Sequence, residues 1–452
     1  MAVILAAGKG TRMKSQLPKV LHPISGISMV EHVIRAVKDS QVEDVVTIIG
    51  NGADLVKDRI GDLTRFALQE EQLGTGHAVL QAEDLIGNEE GHTLVICGDT
   101  PLLQGETLTA LFDHHEESGA KATILTAQAE DPTGYGRVLR DTSGQVIKIV
   151  EQKDANSEEL AVKEINTGTY VFENRSLFAA LKQIGNENAQ GEYYLPDVVG
   201  ILNAGGHRVS AYSMTNIQDA IGVNDRIALA KAQGLMTRRL IKKHMQAGVT
   251  FLNPETVYLE VDVEIGSDAV IETGVQLKGQ TVIGRGVIVG AHSEVCDSHV
   301  GHNSEVRHSV IESSTVGNQV KIGPYAHLRP MAKLEDGVHI GNFVEVKNST
   351  VGPNSKAGHL AYLGDCDLGS EVNVGCGVIF CNYDGKRKHR STVGNQVFLG
   401  SNSNIVSPVK IGDRAFIAAG STITEDVDTE ALAIARSNQV SKAAYWTKFI
   451  NK

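Results

Sequence analysis

The sequence predicts an α/β Rossmann-like domain followed by a left-handed parallel β-helix. Three observations predict it. The chain has 452 residues, too many for one ordinary core. Its first half alternates short apolar runs with helical patterns, and its second half repeats an aliphatic-Gly pair at gaps that cluster near multiples of six residues.

Residues 2–6, 45–50, 93–97 and 122–126 are apolar runs bounded by turn residues, and they read as buried strands. Between the first two, Met29, Val30, Val33, Ile34 and Val37 recur at the spacing of a helix packed on a sheet. Such alternation implies a mostly parallel sheet. Residues 221–246 read as one long helix, with Arg238, Arg239, Lys242 and Lys243 placed to complement the negative end of its dipole. From Ile265-Gly266 to Ile411-Gly412 the aliphatic-Gly pair then recurs, with gaps of six between 316 and 322, 368 and 374, and 393 and 399. Each aliphatic residue would point into a stacked core while glycine permits the corner, three hexads making one triangular coil. The expected division is a domain over 1–222, a linker helix over 223–246, a β-helix over 247–425 and a tail over 426–452.

The formal net charge of −12 argues against nucleic acid, which needs basic surface to release counterions. The N-terminal apolar run is too short for a signal peptide or a spanning helix, which predicts a cytoplasmic protein without membrane insertion. Five cysteines without Cys-x-x-Cys spacing fit reduced thiols and give no zinc signature.

The first run leads into Gly8-Lys9-Gly10-Thr11-Arg12, and Pro18-Lys19 follows. A glycine-rich turn leaving a strand lets backbone N–H groups approach phosphates, and Arg12 and Lys19 can neutralise a departing pyrophosphate. Asp99 follows the run 93–97 and should emerge at the carboxyl edge of the sheet, where open α/β folds bind ligands.

The Gly-x-Gly-x-Arg…Pro-Lys spacing resembles the sugar-nucleotide pyrophosphorylase signature. Gln69, Gln72-Leu73-Gly74-Thr75-Gly76-His77, Gly98-Asp99, Gly134-Tyr135-Gly136-Arg137, Glu151-Gln152-Lys153, Asn166-Thr167-Gly168 and Gly222-Val223-Asn224 follow in order. The whole chain is similar to the bacterial bifunctional N-acetylglucosamine-1-phosphate uridyltransferase / glucosamine-1-phosphate acetyltransferase family. The resemblance implies that Arg12 and Lys19 are catalytic and stabilise phosphate charge, and that Asp99 and Asn224 hold Mg²⁺. It assigns UTP and the sugar phosphate to Leu5, Ala6, Ala7, Gly8, Lys19, Gln69, Gly74, Thr75, Cys97, Gly98, Asp99, Gly136, Glu151, Asn166 and Asn224. Within that set, Gln69, Gly74 and Thr75 would select uracil, and Gly136, Glu151 and Asn166 the sugar. Cys97 stands where an aromatic residue is expected.

In the repeat half, Leu328-Arg329-Pro330, the stretches 341–347 and 356–365, and Cys381-Asn382-Tyr383-Asp384-Gly385 crowd polar residues among the coils, matching the acetyltransferase half of the family. Acetyl transfer to an amino sugar needs the amine free of its proton, and a neutral imidazole can take that proton. The resemblance makes His359 this base. It gives the sugar phosphate to Arg329 and Lys347, the sugar to Tyr362, Asn373 and Asn382, and acetyl-CoA to Cys376, Asn382, Tyr383, Ser401, Ala419 and Arg436. Cys376 replaces the usual Ala, and Met331 the usual Gly. Lys386-Arg387-Lys388-His389-Arg390 reads as a solvated loop, with Lys388 open to a CoA or interface role. The family also implies a homotrimer through the β-helix, in which the tail bearing Arg436 and Trp446 reaches a partner.

Two other readings stand beside this one: a pyrophosphorylase whose β-helix only regulates or oligomerises, and a non-enzymatic nucleotide sensor on a scaffold.

Overall fold

A computed structural model describes residues 1–450 of the chain. They form two compact units, Met1–Met236 and Thr237–Lys452.

The first unit is built on a nine-stranded sheet. Its strands are β1 (Ala2–Leu5), β2 (Val45–Ile49), β3 (Arg65–Leu68), β4 (His92–Cys97), β5 (Ala122–Gln128), β6 (Gly136–Arg140), β7 (Val146–Val150), β8 (Glu164–Glu173) and β9 (Val209–Ser213). The order is β9-β5-β8-β4-β1-β2-β3, with the hairpin β6–β7 hanging from β8. All neighbours on the main path run parallel except β8, which is antiparallel to both β4 and β5. That one reversed strand is the departure from the parallel expectation, and it carries the hairpin that walls the site. Both faces of the sheet are packed, which is why its strands read as continuous apolar runs. Helix α1 (Met29–Asp39) shows how the sequence sets each element. The Ser28 hydroxyl accepts from Glu31 N–H as its N-cap, and Val30, Val33, Ile34 and Val37 on one face are buried.

The long helix α2 runs Arg226–Gln246, starting five residues later than the periodicity predicts. Val223 is fully buried and its N–H donates to the Asp99 carbonyl at 2.8 Å. The segment 221–225 is thus held against the site in extended form, and its apolar residues belong to that packing.

The second unit is a left-handed parallel β-helix of two- to four-residue strands in three faces of 11, 10 and 9 strands. Every coil pairs in register with the next, as in Ile322↔Ile340↔Ala357↔Val374 on the first face. The inward residue of each hexad is buried, including Leu277, Val295, Ile311, Val346, Leu363 and Leu399 at 0% exposure. Each such side chain contributes roughly 1.5–3 kcal/mol of apolar burial. Corners are as close as the pattern implies: a Cβ on Gly341 would lie 1.9 Å from the Gly358 carbonyl oxygen. At the corner after the first face, one left-handed residue per coil stacks on the last. His308, Tyr325, Phe343 and Leu360 all have positive φ there, and the Tyr325 and Phe343 rings lie 5.6 Å apart and nearly parallel. Met331, where glycine was expected, has φ 64° and is exposed.

Candidate functional sites in the two units

In the first unit the motif residues gather at the carboxyl ends of β1 and β4. Gly98 N–H donates to the Leu5 carbonyl, which sets the two loops side by side. Gly10 has φ 58°, and a Cβ there would lie 2.6 Å from Lys19 Cβ, so the glycine lets the loop fold onto the lysine. Lys19 Nζ donates to Asp99 Oδ2 and, at 3.1 Å, to Asn224 Oδ1. Arg12 donates to the same Asn224 oxygen at 3.0 Å. Two cations and two oxygen donors from positions up to 212 residues apart therefore meet at one point.

Two cavities open beside it. One, of about 490 Å³, is lined by Leu5, Ala6, Ala7, Gly8, Lys19, Gln69, Gly74, Thr75, Cys97 and Asp99 among others. The other, of about 210 Å³, is lined by Gly136, Glu151, Asn166, Gly168 and Tyr170 with neighbours. Leu5, Thr75 and Cys97 belong to both, so they form a shared wall. In the larger cavity Gln69 is buried and its amide donates to the Gly74 carbonyl at 3.2 Å. Thr75 Oγ1 accepts from Leu195 N–H at 3.0 Å. In the smaller one Asn166 donates to the Tyr170 hydroxyl at 2.6 Å and accepts from Gly168 N–H. Burial, then the charges of Asp154 and Asp197, push the Glu151 carboxyl up, against the pull of Arg137. Burial, with Asp99 next, pushes the Cys97 thiol to about 12, so it is no nucleophile.

Among the described residues no three His, Cys, Asp or Glu side chains form a metal cluster. Asp99 and Asn224 nevertheless offer two hard oxygens aimed at a single cation, the Lys19 ammonium. That donor set fits a cation that takes its remaining ligands from phosphate and water.

In the second unit the register aligns the residues expected to serve acetyl transfer in two columns. At the corner after the first face, His359 stands one coil above Asn342. Cys376, Ser401 and Ala419 continue the line: Asn402 N–H donates to the Cys376 carbonyl and Gly420 N–H to the Ser401 carbonyl. Arg436 donates to the Ala419 carbonyl at 2.6 Å. His359 Nδ1 lies 2.6 Å from Asn342 Oδ1. An amide oxygen can only accept, so Nδ1 carries the proton and the Nε2 lone pair is left for a substrate. Asn373 lies on the outer side of its strand, in register with Lys356.

On the second face, Arg329 follows one strand and Lys347 ends the next, so that the two stand one above the other at one corner. Arg329 donates to Glu345 at 2.7 Å. Lys347 sits beside Lys388, and that contact, with some desolvation and with Arg329 nearby, holds its ammonium below the usual lysine range. Asn382 is buried, donating to Asp365 at 2.5 Å and to the Tyr362 hydroxyl at 3.4 Å. The Tyr383 hydroxyl instead donates into its own loop, to the Gly385 carbonyl.

The basic run is the exposed loop that was expected, and it is an anchored one: Arg390 grips Asp367 with two nitrogens, and His389 pairs with Asp384 at 2.7 Å. This anchorage delivers Lys388 to the Arg329–Lys347 corner. Sequence reading also gave Asn342 no role. Its partner lies 17 residues away, one coil, and that spacing was the signal that could have found it.

Comparison with known proteins follows the same division. The nucleotidyl transferase family matches residues 1–226, and the bacterial transferase hexapeptide family (six repeats) matches 262–297 and 390–425. The chain is 58% identical over 447 residues to the "Bifunctional protein GlmU" of Enterococcus faecalis, covering 99% of this chain and 98% of that one. Proteins of the same name from Latilactobacillus sakei and Halalkalibacterium halodurans are 56% and 54% identical, over 99% of this chain and 97% and 98% of theirs. A nucleotidyltransferase half and a hexapeptide-repeat half, aligned with such relatives along almost the entire chain, make it a bifunctional transferase of the GlmU family.

Proposed function

We propose that the chain acetylates glucosamine 1-phosphate with acetyl-CoA and then transfers UMP from UTP to the product, N-acetylglucosamine 1-phosphate, releasing pyrophosphate. The observation that carries the second step is the Arg12–Lys19–Asp99–Asn224 convergence beside two cavities with a common wall.

In uridyl transfer Gln69, Gly74 and Thr75 hold the uracil in the larger cavity, and Gly136, Glu151 and Asn166 hold the sugar in the smaller. The sugar phosphate then approaches the α-phosphorus across the shared wall. Arg12 and Lys19 neutralise charge on the transferring and leaving phosphates, and such a displacement needs positioning and neutralisation rather than a protein nucleophile. Asp99 and Asn224 would hold Mg²⁺, which when bound supplies further neutralisation of phosphate charge.

In acetyl transfer Arg329, Lys347 and Lys388 clamp the sugar phosphate, and Tyr362 and Asn382 orient the ring. The amine attacks the thioester carbonyl, Nε2 of His359 takes the amine proton, and the C–S bond breaks to release CoA. Asn342 keeps the imidazole in the tautomer that has this lone pair. The column Cys376–Ser401–Ala419, with Arg436, lies along acetyl-CoA. The enzyme works as a homotrimer in the cytoplasm. Among the described residues no helix is long and apolar enough to cross a membrane.

The test is thiol release from acetyl-CoA with glucosamine 1-phosphate, beside pyrophosphate release from UTP with N-acetylglucosamine 1-phosphate and Mg²⁺. Both signals are expected. Pyrophosphate without thiol would reduce the β-helix to a structural partner.

A further inference from the structure

Among the described residues Arg137 is the largest fully buried side chain, and none of their ion pairs joins it to a carboxylate. It lies one residue along from the cavity: Gly136 is in register with Asn166, and both line it, while Arg137 is in register with Ile165 and Val150. A Cβ on Gly136 would approach Glu151 Oε1 at 3.1 Å, so Gly136 faces the smaller cavity. Alternation along the strand turns Arg137 to the other side. From there its guanidinium reaches the open end of the hairpin, where the segments before β6 and after β7 meet. One nitrogen donates to the Tyr135 carbonyl and another, at 2.9 Å, to Gln152 Oε1. The same Gln152 oxygen accepts from Gly134 N–H at 3.2 Å. Nε is buried without a partner. A buried arginine that forgoes a carboxylate and leaves one donor unmet is costly, and such a cost is kept where the fork fixes two segments at once.

We infer that Arg137 is a positioning residue for the sugar half of the uridyl-transfer site, tying loop 134–136 to Glu151-Gln152 so that Gly136, Glu151 and Asn166 keep one spacing. The inference rests on the uridyl-transfer reading and adds to it a residue that touches neither substrate. It has an electrostatic consequence. Glu151 faces Asp154, Asp197, Tyr170, Tyr194, Cys97 and Arg137, and only the last bears a positive charge.

The experiment measures KM for each substrate of the full-length enzyme in Arg137→Lys, Arg137→Gln and Gln152→Leu. A lysine makes one of the two bonds, and Gln152→Leu removes the shared acceptor from a half-buried position without emptying the core. Both should raise KM for N-acetylglucosamine 1-phosphate about tenfold, with KM for UTP nearly unchanged. Acetyl transfer should match the wild type. In Arg137→Gln the acid limb of kcat/KM for the sugar phosphate should move to higher pH, because the charge favouring ionised Glu151 is gone. Equal losses for both substrates, an unchanged sugar KM, or an unmoved acid limb would overturn the inference. Absence of pyrophosphate release in the wild type would instead overturn the uridyl-transfer reading beneath it. If the Arg137 variants do not fold, Gln152→Leu decides on its KM values alone.

Discussion

The two units build their sites by opposite means. In the first, the contacts that matter join residues 80, 205 and 212 positions apart, brought together by the winding of a whole sheet. In the second, His359 and Asn342 are 17 apart and Arg329 and Glu345 are 16 apart, one coil in each case. A site of the first kind stands or falls with its domain. One of the second kind is a nearest-neighbour property of stacked repeats.

The largest expected effect tests whether the units are separable. Asp99→Ala removes an oxygen donor and the partner of Lys19, and should cut uridyl transfer by about a thousandfold while acetyl transfer continues. Loss of both activities would mean that the units do not work apart. His359→Ala should do the reverse, with acetyl transfer falling by about a hundredfold or more. A fully active variant would remove this imidazole as the base. Asn342→Ala should cost less, about tenfold in acetyl kcat, since it frees the tautomer but leaves the ring. An effect as large as that of His359→Ala would give Asn342 a direct part in the chemistry.

The smallest effect concerns stability. His115 is buried, and burial, then His92 and His114, press its pKa from 6.5 to about 4. The unfolded chain therefore takes up this proton first as the pH falls. The group's contribution is intact above about 6.5 and shrinks towards pH 4. His115→Gln should narrow its deficit in Tm against the wild type by a few degrees between about pH 7 and pH 4.5. A gap that stays constant would show that this histidine is not among the groups that titrate on unfolding.

The same contrast governed what could be read from the sequence. The β-helix was legible in its register because each inward position repeats the same demand, from Ile265 to Ile411. Its paired groups were not, since Lys388 reaches Lys347 through a loop pinned by Arg390 and Asp384, and no periodicity encodes that. In the first unit four of the nine strands, and the motif residues, were legible because apolar runs end in polar turns. The reversed strand β8 was not, because a strand buried on both faces carries no mark of its direction. Val223 misled for a related reason: burial against the site looks like one turn of a helix. Arg137 stood in a matching motif but drew no role of its own, as an arginine in a glycine-rich stretch looks solvated until the hairpin closes over it.

The corner column of the β-helix is also a ruler. From His359 through Cys376 and Ser401 to Ala419 the marks are set by strand spacing, about 4.8 Å per coil. A rod-shaped molecule laid along that edge meets its contacts at fixed lengths, whatever the side chains between them. Removing a whole coil would shorten the scale by one division and leave the remaining marks in line. Coils of 16, 17, 18 and 25 residues all keep that line, so a residue gained or lost at a corner leaves the later marks in place. Along this part of the chain, length is a unit of measurement, and the reading frame of the measurement is the coil.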